Sequence, residues 1–191
     1  MNNLIAISIG DIKGIGIEIL INTWRQNKIK NFILFTDIKE ITNYLKIKKI
    51  NIRLNIVNKN NKFINYDKTK FNIFTYKSKS SEDNTYKSLN HVYYNCIKNI
   101  CIGVITLPLR KDLIKRKIHK KFIGHTEFFQ QIDRKKYSNM ILYHNKVIIS
   151  PITTHIKLKN ITRVISNKIF LSNQIINLNN TLKKDFNFKY P

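Results

Sequence analysis

The sequence predicts an α/β fold with a mainly parallel sheet flanked by helices. Short runs rich in isoleucine, valine and phenylalanine alternate along the 191 residues with longer segments whose apolar residues recur at helical spacing. Glycines follow the first of these runs directly, as at a tight turn from a strand into a helix. A hydrophobic share of 42% is typical of a globular chain, and this length is enough to bury a core.

The first two strand–helix pairs are predicted within the first 50 residues. Residues 4–9 form a short β-branched run, and the helix after the glycines carries Ile17 and Ile21 one turn apart. A second strand is predicted at residues 31–36, where Asp37 follows and can cap the next helix.

The same alternation continues through the middle of the chain. Residues 50–57 alternate like a half-buried strand, and residues 58–70 are predicted as an irregular loop rich in asparagine and lysine. Residues 80–100 combine capping residues with apolar residues at helical spacing. Residues 101–106 are predicted as another buried strand, which Pro108 ends.

The last third of the chain mixes helices with a pair of strands. Helical character returns from Leu109 and again from Thr126. Two strands are predicted around His144 and Asn145, and residues 160–184 are predicted as helical and amphipathic.

The chain is strongly basic, with a formal net charge of +24 from 35 Lys and Arg against 11 Asp and Glu. A basic patch is the usual signature of nucleic-acid binding, but this excess is mostly lysine and is spread along the whole chain. Isoleucine and asparagine are enriched with lysine, and all three amino acids have A/T-rich codons. Base composition therefore explains the charge, and nucleic acid is not the expected partner.

Cysteine usage and hydropathy predict a cytoplasmic protein. Cys96 and Cys101 do not make a disulfide framework, which favours a reducing compartment. No run of about 18 apolar residues occurs, so no membrane span is predicted. The first residues lack the basic region of a signal peptide and are expected to form the first strand.

Gly10, Gly14 and Gly16 follow the first predicted strand. Glycine allows a tight turn or the close approach of a ligand, and the next helix offers free N–H groups to an anion. Their order differs from the G-x-G-x-x-G dinucleotide fingerprint. On the residues alone, a structural turn and a ligand-binding loop both remain open.

Three segments, in this order, resemble the motifs of the 4-hydroxythreonine-4-phosphate dehydrogenases of pyridoxal phosphate biosynthesis. They are SIGDIKGIGIE (residues 8–18), VITLPLRK (104–111) with GHTEFF (124–129), and ISPITTHIKL (149–158). The family's G-H-T-E-F motif matches completely. Its G-D-P-A-G-I-G-P-E motif matches except at Ile12, Lys13 and Ile17, its T-A-P-x-x-K motif except at Leu107, and its T-T-H-x-P-L motif except at Lys157.

This resemblance implies a fold like that of the isocitrate and isopropylmalate dehydrogenases. Residues 1–122 would form an incomplete first α/β domain and residues 123–191 the truncated start of a second. It implies NAD- or NADP-dependent oxidation of 4-phosphooxy-L-threonine to 2-amino-3-oxo-4-phosphooxybutanoate, followed by decarboxylation. It also implies a divalent metal ion (Zn²⁺, Mg²⁺ or Co²⁺) and a homodimer.

Carried over by position, His125 and Thr126 would bind the phosphorylated substrate, and His155 would be one of three histidines that hold the metal. Imidazole is a good metal ligand, and His155 follows a predicted strand, where parallel sheets place their ligands. Lys111 would add positive charge for the phosphate. The resemblance assigns no catalytic residue and no cofactor-binding residue to this chain.

The relatives are much longer than this chain, and their other two metal-binding histidines lie beyond its last residue. The chain is therefore expected to be incomplete and inactive alone. It could be one part of a split gene that needs a complementing C-terminal chain, a remnant, or a fragment of a longer product. Two alternatives stay open: a related dehydrogenase of a four-carbon sugar-acid phosphate, and a non-catalytic basic remnant that binds nucleic acid. His91, His119 and His144 match no motif, and the first two are predicted to lie on the surface.

Overall fold

The computed structural model describes residues 3–57, 59–60, 63–145, 147–154 and 156–189. The chain divides into two compact units, residues 1–124 and residues 125–191, each built from its own helices and strands. None of the helices in this described part of the chain combines the length and the apolar character that a membrane span requires.

The first unit is a five-stranded parallel sheet with helices packed against it. Its elements in chain order are β1 (Ile5–Ser8), α1 (Gly16–Arg25), β2 (Phe32–Thr36), α2 (Ile38–Ile47), β3 (Leu54–Ile56), β4 (Lys59–Asn60), β5 (Phe63–Ile64), β6 (Phe71–Thr75), α3 (Ser81–Ile97), β7 (Gly103–Thr106) and α4 (Lys111–Lys117). The strand order is β3-β6-β2-β1-β7, and all four neighbouring pairs are parallel. The predicted α/β fold is confirmed.

One short hairpin departs from the prediction. β4 and β5 pair antiparallel within residues 58–70, which the sequence predicted as an irregular loop. Asparagine and lysine, which dominate this stretch, are depleted from strands, although the aromatic segment that begins at Phe63 also fits a strand flanked by lysines.

The core of the first unit lies between the sheet and helices α1 and α2. Ile17 and Ile21 of α1 belong to the same buried cluster as Ile73 of β6. Trp24 meets Phe71 edge to face, with ring centroids 5.3 Å apart. All five residues of β2 are buried because this strand lies inside the sheet with both faces covered.

Side-chain caps fix the starts of α2 and α3. The Asp37 carboxylate accepts a hydrogen bond from the Lys39 amide at 2.9 Å, which confirms the predicted cap of α2. The Ser80 hydroxyl accepts from the Asp83 amide at 3.2 Å at the start of α3.

The order in which successive strands join the sheet reverses at β1. β2 lies on one side of β1, and β7 lies on the other. In open parallel sheets, ligands bind outside the carboxyl ends of the strands at such a switch point. The carboxyl ends of β1 and β7 are therefore the first place to look for a site in this unit.

The second unit is mostly helical. Its elements are α5 (His125–Ile132), β8 (Leu142–His144), β9 (Val147–Ile149), a 3₁₀ turn (Leu158–Asn160), α6 (Ile161–Ile165) and α7 (Lys168–Phe186). β8 and β9 pair antiparallel, as the two strands predicted around His144 and Asn145. The expectation that β9 is a parallel strand is wrong within the described residues, where it pairs only with β8. Asn145 has a φ of 44°, which suits the tight turn of a hairpin.

Candidate functional site

The loop after β1 is held against the segment after β7. The Asp11 amide donates to the Pro108 carbonyl oxygen at 2.8 Å. Gly10 has a φ of +62°, in the left-handed region that favours glycine, and a Cβ there would lie 2.8 Å from the Leu107 carbonyl oxygen. The turn and this contact together require glycine at position 10.

Helix α1 begins beside the same segment. A Cβ on Gly16 would lie 3.0 Å from both the Leu107 Cβ and the Pro108 Cδ. The Gly14 amide donates to the Asp11 carbonyl oxygen at 2.9 Å and closes the turn before the helix. Packing alone therefore accounts for glycine at positions 10 and 16, whether or not a ligand binds here.

The two positions at which isoleucine replaces a family proline are buried. Ile12 is 7% exposed and Ile17 is fully buried, and both belong to the main apolar cluster. Ile17 lies in the first turn of α1, where amides have no acceptor within the helix, so proline and isoleucine both suit the backbone. These departures from the motif preserve the packing of the loop.

Two buried hydroxyl groups of α3 hold the carboxyl ends of β1 and β2. The Thr85 hydroxyl donates to the Gly10 carbonyl oxygen at 2.5 Å. The Ser88 hydroxyl accepts from the Ile9 amide at 3.0 Å and donates to the Phe35 carbonyl oxygen at 2.8 Å. They supply hydrogen-bond partners to buried backbone groups at the carboxyl ends of these strands.

Asn84 extends these contacts to the start of α2. Its side-chain oxygen accepts from the Asp37 amide at 2.9 Å, and its nitrogen donates to the Thr36 hydroxyl at 3.1 Å. Burial alone would raise the pKa of Asp37, but hydrogen bonds from Ser78 and from the Lys39 amide outweigh it and lower that pKa. The Asp37 carboxylate is therefore ionised at neutral pH, as its capping role requires.

This polar side of α3 was not predicted from the sequence. The helix was predicted from apolar residues such as Leu89 and Val92, and its polar residues were left unassigned. A signal was present, since Asn84, Thr85 and Ser88 recur three and four residues apart and so share one side of a helix.

A crevice of about 530 Å³ opens at the switch point. Three cations line it, Lys13 from the glycine loop, Arg110 from the segment before α4 and Lys117 from the last turn of α4, together with three carboxylates, Asp11, Glu40 and Glu82. Lys117 pairs with Glu82 at 2.6 Å, and Arg110 pairs with the exposed Asp112 at 2.8 Å. The volume is within the usual range for small-molecule sites, and the lining offers charges of both signs to a polar ligand.

A second hollow of about 570 Å³ adjoins the crevice and shares Lys13, Glu40 and Ser81 with it. Arg110, rather than the predicted Lys111, lines the crevice. Lys111 is the first residue of α4 and is exposed. The role of Lys111 at the phosphate stays a prediction.

His125 and Thr126 are the first two residues of α5 in the second unit. The helix begins at His125, one residue before the predicted start at Thr126. Phe128 is 8% exposed and stacks edge to face with Phe129 at 5.4 Å, which anchors the first turn. Thr126 is exposed and His125 is half-buried. Both side chains thus begin a helix, where amide N–H groups favour anions.

The predicted metal ligand His155 lies outside the described residues. Within the residues that the structure does describe, no three His, Cys, Asp or Glu side chains are grouped so that they could hold a metal ion. One imidazole is not a metal site, because three or four ligands are normally needed. The described residues do not fit a complete metal site, and His155 would need ligands from elsewhere. The glycine loop likewise does not fit the dinucleotide fingerprint.

The prediction that His91 and His119 lie on the surface is wrong, since both are half-buried against aromatic rings of the first unit. His91 stacks on Tyr76 with centroids 4.4 Å apart, and burial, with a smaller contribution from Lys87, lowers the pKa of His91. His119 stacks on Tyr86 at 5.7 Å. Helical spacing and flanking lysines could not reveal that aromatic residues from other turns and strands cover them. The chain's fifth histidine, at position 144, is exposed on β8.

Comparison with known proteins gives one consistent family. Residues 28–191 match the family described as "Pyridoxal phosphate biosynthetic protein PdxA". The chain is 26% identical over 197 residues to the 4-hydroxythreonine-4-phosphate dehydrogenase of Wigglesworthia glossinidia brevipalpis, covering 98% of this chain and 59% of that protein. It is 24% identical over 195 residues to the enzyme of the same name from Sulfurihydrogenibium sp. (strain YO3AOP1), covering 98% of this chain and 60% of the relative.

Solved structures of proteins with this name share the fold. The enzyme from Klebsiella pneumoniae superimposes with a TM-score of 0.80 at 18% identity, over 95% of this chain and 59% of that one. The enzyme from Burkholderia phymatum gives 0.75 at 18% identity, over 96% and 59%. This chain thus spans about three fifths of the length of the relatives that it matches. Because the family match takes in most of its residues, the chain belongs to the PdxA family of pyridoxal phosphate biosynthetic proteins.

Proposed function

We propose that this chain forms part of a 4-hydroxythreonine-4-phosphate dehydrogenase. The reaction is the oxidation of 4-phosphooxy-L-threonine to 2-amino-3-oxo-4-phosphooxybutanoate by NAD or NADP, followed by decarboxylation. The observation that carries this proposal is the family match over residues 28–191. The complete G-H-T-E-F motif, in which His125 and Thr126 begin α5, supports it independently of overall similarity.

The chain's own residues have defined tasks in this proposal. His125 and Thr126 donate hydrogen bonds to phosphate or carboxylate oxygens of the substrate, beside the amide groups of the first turn of α5. Lys111 contributes positive charge for the phosphate. His155 supplies one ligand of a divalent metal, which would polarise the substrate alcohol once its other ligands are present.

The need for a second chain is inferred from the fraction of the relatives' length that this chain spans. About two fifths of their length has no counterpart here, and the described residues hold no complete metal site. The chain is therefore inactive alone and becomes active as a homodimer or with a complementing chain. The units split at residue 124 correspond to an incomplete first domain and the start of a second. The free Cys96 and Cys101 suit the cytoplasm.

The test compares the chain alone with a completed chain. The purified 191 residues are mixed with 4-phosphooxy-L-threonine, NAD or NADP, and a divalent metal, and reduced cofactor is measured by absorbance. We expect no turnover. Turnover should appear when the chain is fused to the part of the Wigglesworthia relative that lies outside the 197-residue match.

Variants of the fused protein assign the site. His125→Gln should lower kcat/KM at least tenfold, because a hydrogen bond to a charged substrate group contributes about 1.5–3 kcal/mol. His144→Gln is the matched control, because that histidine belongs to the same unit, is exposed and lies outside the motif. Turnover by the unfused chain, or equal activity of the two variants, would contradict the proposal.

A further inference from the structure

One short stretch of the first unit concentrates positive charge. Residues 115–121 contain five Lys and Arg in seven residues, whereas no seven-residue stretch outside residues 110–121 contains more than three. No carboxylate occurs in the chain between Asp112 and Glu127. Base composition raises the lysine content of the whole chain, so it does not by itself account for this clustering. A run of Lys and Arg of this length is typical of surfaces that bind polyanions.

Four cations of this stretch are exposed and have no carboxylate partner among the described residues. The fifth, Lys117, is paired with Glu82 and lines the crevice. The other four make no ion pair, and we call them the basic patch: Lys115, Arg116, Lys120 and Lys121. The dipole of α4 favours cations in the last turn of the helix, but its effect does not reach Lys120 and Lys121. Unpaired like charges repel one another, so stability does not explain the patch as a whole.

The backbone beneath the basic patch is held in place. Ile114 and Phe122 are buried and anchor the chain on either side of the stretch. The Ile114 carbonyl oxygen accepts hydrogen bonds from the amides of Ile118 and His119, each at 2.9 Å. The His119 carbonyl oxygen in turn accepts from the Phe122 amide at 2.9 Å. The four cations therefore extend from a fixed turn, while their long side chains can still adapt to a ligand.

An aromatic pair belongs to the same surface. The His119 ring stacks on Tyr86 of α3, with centroids 5.7 Å apart and ring planes inclined by 20°. Both residues are half-buried, and the Nδ1 atom of His119 is buried without a hydrogen-bond partner among the described residues. Stacking, rather than a hydrogen bond through this nitrogen, therefore orients the imidazole. Proteins bind unpaired bases and their phosphates with this combination of aromatic rings and neighbouring cations.

We propose that the basic patch and the stacked rings of Tyr86 and His119 form a binding surface for single-stranded nucleic acid. The four cations contact successive phosphates, and an unpaired base stacks against the aromatic pair. A duplex holds its bases inside the helical stack, so it would use the phosphate contacts alone. The surface includes none of the residues assigned to the reaction, which are Lys111, His125, Thr126 and His155. It therefore does not depend on the proposed function.

Binding is tested with the full 191-residue chain. The probe is a fluorescein-labelled oligouridylate of about 12 nucleotides, titrated by fluorescence anisotropy at several salt concentrations. The double variant Lys120→Gln/Lys121→Gln removes two charges of the basic patch. Lys28→Gln/Lys30→Gln is the matched control, because it removes two exposed lysines from another irregular segment of the same unit and leaves the same net charge.

The patch variant should bind at least about tenfold more weakly, and the control should change the affinity by less than about twofold. The slope of log Kobs against log salt concentration should also become shallower by about 1.4 in the patch variant, because each lost phosphate contact to a single strand contributes about 0.7. All four lysines are exposed, so both variants should fold like the unaltered chain, as judged by Trp24 fluorescence.

His119→Leu tests the stacking contact separately. It should weaken binding about fivefold or more and leave the salt dependence unchanged, because stacking on a base releases no counterions. His91→Leu is the control, since His91 is also a half-buried histidine of the first unit, and it stacks on Tyr76 outside the stretch 115–121. We expect unchanged binding by His91→Leu. If His119→Leu does not fold, the two lysine variants and the duplex comparison decide the question.

Four results would overturn the inference. They are no binding of the probe at physiological salt, equal losses for the two lysine variants, full affinity of a folded His119→Leu variant, and a duplex of the same length that binds as tightly as the single strand. Equal losses would mean that the probe responds only to overall charge, and the last two results would mean a surface for polyanions without a base contact. None of these measurements needs turnover, so they leave the proposed reaction untouched.

Discussion

Replacing Gly10 with alanine should destabilise the first unit by about 2 kcal/mol. A non-glycine residue in the left-handed conformation costs about 1–2 kcal/mol. The new Cβ would also collide with the carbonyl groups of Leu107 and Pro108 and separate the hydrogen bond from Asp11, which contributes about 1 kcal/mol. The lower entropy of the unfolded alanine chain offsets about 0.5–1 kcal/mol of this loss.

The single tryptophan makes this effect measurable. Trp24 packs edge to face on Phe71 in the core of the first unit, so its fluorescence reports the unfolding of that unit. In a urea titration, a slope of about 2 kcal/mol per M converts the predicted loss into a midpoint lower by about 1 M. Equal slopes for the variant and the unaltered chain would show that stability, rather than the compactness of the unfolded state, has changed.

Gly103→Ala is the control for this experiment. Gly103 has open space around its Cβ position, and its φ is not positive, so alanine should be neutral or slightly stabilising in the isolated chain. If Gly10→Ala and Gly103→Ala shift the urea midpoint equally, the argument from the loop geometry fails.

Three further predictions are tested by the same urea titration, followed by Trp24 fluorescence. Ser88→Ala should cost about 2–3 kcal/mol because it leaves a buried amide and a buried carbonyl without their partner, whereas Thr42→Ala on the exposed side of α2 should cost less than about 1 kcal/mol. His91 has a folded pKa below its usual value of 6.5, so stability should fall as the pH drops below 6.5 toward that lowered pKa. His91→Phe should remove part of this loss of stability at low pH. An unchanged pH dependence of stability in the variant would contradict the assignment to His91. Ile17→Pro should be tolerated within about 1–2 kcal/mol in the first turn of α1, whereas Ile21→Pro in its interior should cost at least about 3 kcal/mol, and equal costs would refute the helix start.

Local patterns were enough to predict four of the five strands of the main parallel sheet, all except β6. Strands such as β2 and β7 are short apolar runs between polar segments, and their periodicity depends on local sequence alone. The Asp37 cap was predictable for the same reason, because a capping side chain contacts an amide two residues away. Strand order was not predictable from these patterns, since it depends on which runs meet across long connections.

The error at His91 arises from a contact between distant parts of the chain. His91 has charged and polar neighbours in sequence, but Tyr76 from before the helix covers its ring. The histidine was judged by its neighbours in sequence, whereas its environment is set by packing.

The glycine motif is better understood as the wall of the crevice than as its ligand-binding group. Gly10 is held by the Thr85 hydroxyl on its carbonyl oxygen and by the segment 107–108 on its other side. The amide of Asp11 is likewise engaged by Pro108. Backbone groups that already have partners within the protein are not available to a ligand, so contacts to a ligand in the crevice would fall to side chains, among them the carboxylates of Asp11, Glu40 and Glu82. Lys13 extends from this fixed loop into the crevice, and a rigid loop holds such a charge in place more effectively than a mobile one.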